Sequence, residues 1–231
     1  QQYFFTSATI QDVMRRFKKQ HDGDWEQLPD RVAIQLNDTH PAVAIPEMMR
    51  ILVDLEALDW DRAWWVCERV FAYTNHTVLP EALESWSKEL MGRLLPRHLQ
   101  IIEEIDRRFR AVVVHAHPGD DEKLRRMAIV DDHSQSVRMA NLAIVGSHSV
   151  NGVARLHTDI LQARIFPEFN RLFPKKFNNK TNGITPRRWL LQANPELSAL
   201  ITEAIGGDWP RDLEQLRGLE RFVDDAGFRE K

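Results

Sequence analysis

The chain has 231 residues, 43% hydrophobic and 28% charged, with 31 Lys and Arg against 34 Asp and Glu, a formal net charge of -3. That apolar fraction supplies a core and excludes general disorder, while the charge balance argues against a dedicated nucleic-acid binder. No apolar run approaches the roughly 18 residues of a membrane span, and the length falls between one domain and two.

Ile10, Val13, Met14 and Phe17 carry i, i+3, i+4, i+7 spacing, which predicts a helix almost from the first residue. Segment 31–36 is a short apolar run that reads as a buried strand. Ile45, Met48, Met49 and Leu52 predict a helix with Pro46 in its first turn. Cys67, the one cysteine, falls in an apolar helical stretch with Ala63 and Trp64, so a buried thiol without an internal disulfide is expected. Segment 69–74 reads as a second strand. Leu95, Leu99, Ile102 and Phe109 predict a long helix after Pro96. Segment 142–145 reads as a third strand, and Val150, Val153, Ala154, His157 and Leu161 as a helix. Buried, parallel strands alternating with helices imply an α/β fold with right-handed crossovers.

From Pro186 onward the pattern changes to helices alone, over 187–193, 195–205 closed by Gly206, and 211–219. The change predicts a domain boundary near Gly183, with residues 1–182 in one lobe and 183–231 opening another. The chain starts at Gln1 without methionine and enters helix with no looser lead-in, so it reads as a slice of a longer protein. It carries three N-x-[ST] sequons, at Asn37, Asn75 and Asn179. Lacking a signal-peptide segment and nearly lacking cysteine, it reads as cytoplasmic, and those asparagines need a role other than glycan acceptance.

Each apolar run is followed by a polar cluster: Asn37-Asp38-Thr39-His40, Asn75-His76-Thr77, Gly146-Ser147-His148-Ser149 and Asn179-Lys180-Thr181-Asn182. Any one of these could be a helix cap and a turn. Their repetition, three times with a histidine, favours a single cleft at the carboxyl ends of parallel strands. Amides, hydroxyls and imidazoles with few cations suit an uncharged polyhydroxylated ligand, whose hydroxyls both donate and accept. A metal set of Asp38, His40, His76 and His148 is the competitor, without a supporting H-E-x-x-H or paired Cys/His motif. The run 146–152 also lacks the spacing and lysine of a phosphate loop.

The blocks Val-Ala-Ile-Gln-Leu-Asn-Asp-Thr-His-Pro (32–41), Ala-Tyr-Thr-Asn-His-Thr-Val-Leu-Pro-Glu-Ala-Leu-Glu (72–84), Leu-Leu-Pro-Arg-His-Leu (94–99), Gly-Ser-His-Ser-Val-Asn-Gly-Val-Ala (146–154) and Asn-Lys-Thr-Asn-Gly-Ile-Thr-Pro-Arg-Arg-Trp (179–189) resemble the glycogen and maltodextrin phosphorylases. The resemblance runs from about Tyr3 to the C-terminus. It implies a two-lobed glycosyltransferase of the GT-B type, with Rossmann-like lobes and an active site in the cleft between them. It further implies phosphorolysis of terminal α-1,4-glucosyl residues to glucose 1-phosphate with retained configuration, aided by the phosphate of pyridoxal phosphate. A homodimer is implied for the parent.

Carried over residue by residue, the resemblance makes His76 the histidine of the glucosyl subsite, which with Asn182 would hydrogen-bond the sugar's 6-hydroxyl. Asp38 and His40 complete the catalytic set as supporting residues beside the anomeric carbon. Gly152 and Val153 would give close approach and an apolar wall. Glu81 and Glu84, spaced one helical turn apart, would belong to the pocket's surroundings, with exposed helix carboxylates as the alternative. Trp189 would stand next to the cofactor, with a core tryptophan as the alternative, and His148 is expected to be structural.

The family's cofactor lysine belongs to a Gly-Thr-x-Asn-x-Lys segment that this sequence does not contain. The residues that hold phosphate lie in the same C-terminal lobe, and no carboxylate pair with hydrolase placement replaces them. The expectation is an internal phosphorylase fragment, inactive alone and not binding pyridoxal phosphate, whose partners are α-1,4-glucan, phosphate and the rest of its chain. The alternatives are an independent glucan-binding module and, more remotely, a sugar-nucleotide-dependent transferase.

Overall fold

The computed structural model describes residues 1–231, Pro80 by its backbone alone. Its contacts separate two compact units, Gln1–Thr181 and Asn182–Lys231.

The first unit opens with α1 (Gln2–His21), whose Ile10, Met14 and Phe17 are buried along one stripe. Lys18, Lys19 and His21 in its last turn complement the helix dipole, and Asp22 ends it in the left-handed region at φ 51°. A short α2 (Leu28–Arg31) leads into β1 (Ile34–Asn37). Next come α3 (Ala44–Arg50), which runs on through a π-turn over Ile51–Leu55, and α4 (Trp60–Val70). The Asp59 carboxylate caps α4 by accepting from the Arg62 N–H at 3.0 Å.

Strand β2 (Phe71–Thr74) follows directly, and β3 (Ser85–Ser87) leads into α5 (Lys88–Leu94) and the long α6 (Pro96–Ala116). After α7 (Asp121–Met127), strands β4 (Val130–Asp131) and β5 (Ser136–Arg138) join β3 in a small antiparallel sheet of order β3-β5-β4. The remaining elements of this unit are α8 (Met139–Val145), β6 (Ser149–Gly152), α9 (Arg155–Ile160), α10 (Pro167–Leu172) and β7 (Phe177–Asn179). The principal sheet is parallel throughout, in the order β1-β2-β6-β7. Its register pairs Asn37 with Thr74, Thr74 with Asn151, and Gly152 with Asn179, so the carboxyl ends of all four strands finish in one row.

The predicted α/β class holds, and so do the helices of α1, α3 and α6 and the first two strands, each within a few residues. Val70 still belongs to α4, so the second strand starts at Phe71 rather than at 69. Cys67 is buried, its thiol turned toward the Ile45 carbonyl at 3.7 Å, and burial pushes its pKa up.

The third predicted strand is a correction. Residues 142–145 lie in α8, every residue of which is buried. A short, wholly apolar run carries neither period, so a buried helix and a buried strand look alike in sequence. The strand lies instead at Ser149–Gly152, in the stretch read as a polar turn entering a helix. Asn151 tolerates this central position because its amide is satisfied within the sheet. It accepts from the Thr74 hydroxyl at 2.8 Å and donates to the Gly152 carbonyl at 3.0 Å. The helix predicted from Val150 therefore starts at Arg155.

Helices α1, α3 and α6 are tied together by one buried carboxylate. Glu47 is fully buried and accepts from Ser7 Oγ at 2.6 Å, His98 Nε2 at 2.6 Å, and Arg50 Nε and a terminal guanidinium nitrogen at 2.9 and 3.0 Å. Burial alone would raise its pKa, but the bonds from His98, Arg50 and Ser7 outweigh that and hold it at about 2.

The second unit is helical. A π-turn over Arg187–Gln192 precedes α11 (Pro195–Ile205), capped by the Asn194 side chain on the Leu197 N–H. After Gly206 the chain packs Trp209 fully buried, with its indole N–H donated to Thr202 Oγ1 at 3.1 Å. A 3-10 stretch over Leu213–Phe222 and α12 (Ala226–Glu230) complete it.

Replacing Glu47 by Ala strands the charge of Arg50 and leaves Ser7 and the His98 ring without their buried acceptor, and is expected to cost about 3 kcal/mol in urea unfolding. The Glu47 pKa of about 2 lies below its ordinary 4.5. Its contribution is thus complete above pH 4.5 and disappears as pH falls through about 2, a slope that Glu47→Ala should lack.

Candidate functional site

The row of carboxyl ends carries the polar residues that the sequence singled out, with one exception. Where β1 ends, Asp38 adopts the left-handed region at φ 55°, a conformation that short polar side chains tolerate. Its N–H donates to the Thr74 carbonyl at 2.9 Å, so the turn is pinned to the end of β2. One Asp38 carboxylate oxygen accepts from the Thr39 N–H at 2.8 Å and the other from the His76 N–H at 3.2 Å. The His76 ring reaches back to Asn37, its Nε2 lying 2.8 Å from Asn37 Oδ1. With Asn37 Oδ1 as acceptor, the neutral His76 ring carries its proton on Nε2, and Nδ1 can accept from a hydroxyl. Asn37, Asp38 and His76 thus form one closed set of contacts between two loops.

A second set lies beneath it. Asn75 is fully buried, and its N–H donates to the Asn151 carbonyl at 2.9 Å. Its side-chain oxygen accepts from the Thr77 N–H at 3.0 Å and lies 3.1 Å from His157 Nε2, while its amide nitrogen donates to the Tyr73 hydroxyl at 2.9 Å. His157, at the start of α9, accepts the Val153 N–H on Nδ1 at 3.0 Å. A backbone N–H can only donate, so this contact requires an unprotonated Nδ1. Burial lowers the His157 pKa from its ordinary value and His76 adds to this, against the Thr77 backbone contact and the Asp38 charge.

His40 is exposed in the turn after Asp38. Glu84 is half-buried and accepts from Thr39 Oγ1 at 3.2 Å and Gln2 Nε2 at 2.9 Å, which ties it to the Asp38 turn. Glu81 is exposed on a 3-10 turn, Pro80–Ala82, that ends before Glu84, so the two do not share an α-helical turn. Gly152 and Val153 stand at the end of β6, on the same edge. A Cβ at Gly152 would collide with Thr158 Oγ1 and lie 3.0 Å from Thr158 Cα and 3.1 Å from its N. The close approach at Gly152 is therefore met by helix α9.

The cluster 146–149 is the exception. It enters β6 rather than leaving a strand, and the His148 N–H donates to the carbonyl of Phe71, the first residue of β2. His148 is exposed at the amino edge of the sheet, so it cannot join Asp38, His40 and His76 around one ion. Among the described residues no group of three or more His, Cys, Asp or Glu side chains is arranged to hold a metal. In the second unit Asn182 is exposed, and Trp189, 66% exposed, is not a core residue of that unit.

Asn75 appeared in the sequence as a sequon asparagine and as part of a cluster, and His157 only as an apolar-face position of a helix starting too early. The signal for His157 was its i, i+4 relation to Val153, which serves equally for packing along a helix and for closing the loop before one. The assembled edge offers amide, imidazole and hydroxyl groups with the Asp38 carboxylate. Residues 37–40, 75–77 and 151–153 contain no Lys or Arg. These three loops suit neutral hydroxyl groups, and the cation of the edge, Lys180 after β7, has its Nζ bonded to Asn178 Oδ1.

Two outcomes are expected. In a pH titration followed by NMR, His157 should stay neutral, with its proton on Nε2, below its ordinary pKa of 6.5. Because the folded pKa is lowered, its contribution to stability is complete above the unfolded value and declines as pH falls toward the folded one. Replacing Gly152 by Ala should push α9 from β6 and lower stability by about 1–3 kcal/mol in thermal unfolding.

The carbohydrate phosphorylase family model matches residues 1–231, the whole chain. The muscle form of glycogen phosphorylase is 57% identical in Homo sapiens and 56% in Oryctolagus cuniculus, and the human liver form is 53% identical. Each alignment covers 99% of this chain and 28% of the relative, so the chain spans little more than a quarter of the length of these relatives. With a family model matched along its entire length, the chain belongs to the carbohydrate phosphorylases.

Proposed function

We propose that this chain is an internal segment of an α-glucan phosphorylase and supplies part of its glucosyl subsite. The supporting observation is the row of Asn37, Asp38, Asn75 and His76 at the carboxyl edge of a parallel sheet, within a chain matched throughout by the family. In this reading His76 Nδ1 accepts from a sugar hydroxyl while Asn37 and Asp38 hold the ring and its backbone. Asp38 also sets a negative charge beside the position where an oxocarbenium-like transition state develops positive charge. Val153 supplies the apolar wall, Glu84 steadies the Asp38 turn from below, and His40 and Glu81 are outlying. Asn182 and Trp189 keep the sugar-binding and cofactor-facing roles that the resemblance gives them.

The parent is a GT-B-type enzyme in this proposal, with residues 1–182 in its first Rossmann-like lobe and 183–231 opening the second. It cleaves terminal α-1,4-glucosyl residues of glycogen or maltodextrin with inorganic phosphate, as a homodimer in the cytoplasm. A single buried cysteine fits that reducing compartment. The residues of this chain do not complete a pyridoxal phosphate site. Trp189 presents an exposed indole, and the one lysine of the second unit, Lys231, lies 4.0 Å from Glu203. When bound in the parent, the cofactor would supply a phosphate group for proton transfer. In this reading the substrate phosphate is held by residues outside this segment.

The test is production of glucose 1-phosphate from maltodextrin and inorganic phosphate. The full-length protein containing this segment should form it, the 231-residue chain alone should not, and His76→Ala in the full-length protein should lower kcat/KM by about 100-fold. Phosphorolysis by the isolated chain, or its absence from the full-length protein, would refute the proposal. Calorimetric titration of the isolated chain with maltoheptaose separates the alternative of an independent glucan-binding module, which requires affinity better than several millimolar.

A further inference from the structure

Strands β2 and β6 are the neighbours whose ends carry His76 and Val153. The last backbone bond between them on this edge is the Asn75 N–H donated to the Asn151 carbonyl at 2.9 Å. Past that point their loops are joined through a side chain. His157 Nδ1 accepts the Val153 N–H at 3.0 Å, and His157 Nε2 meets Asn75 Oδ1 at 3.1 Å. Asn75 has no freedom to turn away, because its oxygen also receives the Thr77 N–H and its nitrogen donates to the hydroxyl of fully buried Tyr73. Thr77 and Asn75 flank His76, so fixing them fixes the backbone from which the His76 ring projects.

The bond directions determine the tautomer. The Val153 N–H occupies the lone pair of Nδ1, which leaves the proton on Nε2, and Nε2 then donates to the Asn75 oxygen. One neutral imidazole uses both nitrogens, each on a different loop.

We propose that His157 is the positioning residue of the sugar site: as its Nε2–H tautomer it locks the His76 loop against the Val153 loop, so the pocket is formed before glucan arrives. This rests on the reading of the carboxyl edge as a glucosyl subsite. His157 touches protein groups and not the reacting atoms, so its effect is on geometry. Misplacement of a binding group by about 1 Å is enough to cost up to about 100-fold in rate.

The experiment uses the full-length protein containing this segment, with His157→Ala, His157→Asn and His157→Gln. Gln keeps a distal N–H donor for Asn75, whereas Asn keeps an acceptor near Val153 but is too short to reach Asn75. Ala and Asn are expected to lower kcat for maltodextrin phosphorolysis by at least about 10-fold with KM changed less than about 3-fold, and Gln to recover kcat to within about 3-fold. Amide hydrogen exchange over 75–79 should accelerate about 10-fold or more in Ala and Asn and return toward the parent rate in Gln. If Ala fails to fold, the Asn and Gln pair carries the same comparison.

Parent-like kcat in the Asn variant, or equal impairment of Asn and Gln, would overturn the inference while leaving the glucosyl-subsite reading intact. If the unmodified protein forms no glucose 1-phosphate, that reading fails instead. Exchange alone then decides whether His157 locks the loops: acceleration in Asn with recovery in Gln supports the lock, and any other pattern removes it.

Discussion

Strand β2 is paired in parallel on both sides, to β1 through Ile34–Phe71 and Asn37–Thr74 and to β6 through Ala72–Ser149 and Thr74–Asn151. Everything at the candidate site depends on this register. Because each ladder keeps its partners level, Asn37, Thr74, Asn151 and Asn178 lie in one row, and the residues that follow project from it. A slip of one residue would reverse the faces of β2. Phe71 and Tyr73, now fully buried, would move to the face of Ala72 and Thr74, which are only partly buried. The apolar contacts that hold the sheet together therefore also set the alignment of its polar edge.

The edge is stabilised by bonds that close on themselves. Asp38 serves the turn after β1 and the loop after β2 with one carboxylate, and Asn75 serves its own loop, Tyr73 and His157 with one amide. A left-handed Asp38 and a buried, fully occupied Asn75 use the bonding capacity of both groups to fix backbone. The outermost groups, the His76 ring and the Val153 side chain, stand on a base whose polar atoms are already engaged. That is the physical form of preorganisation: little reordering remains for a ligand to impose. Away from the edge, the Glu47 cluster does similar work among α1, α3 and α6, where a charge without partners would be costly to bury.

The strand-to-helix pattern was legible where the residues carry a period. Ile10 to Phe17, Ile45 to Leu52 and Leu95 to Phe109 are helices in both readings because their apolar stripe faces the core. It failed at 142–152, where a run apolar on all sides carries no period and a central strand contains Asn151 and Gly152. That error moved His148 to the carboxyl edge on paper, while the fold puts it at the opposite one, and it hid His157 in the middle of a helix that starts later.

The sequence by itself determined the family, the parallel α/β class and the identity of the polar loops after β1 and β2. These follow from local periodicity and from residue blocks whose order survives without coordinates. Only the tertiary structure decided which loops share an edge, that Gly152 yields space to Thr158, and that Asn75 and His157 join two loops at 3.1 Å. The last of these relations joins residues 82 positions apart in the chain. No local pattern can encode the direction of a bond across such a separation, because it is set by the register of three strands at once.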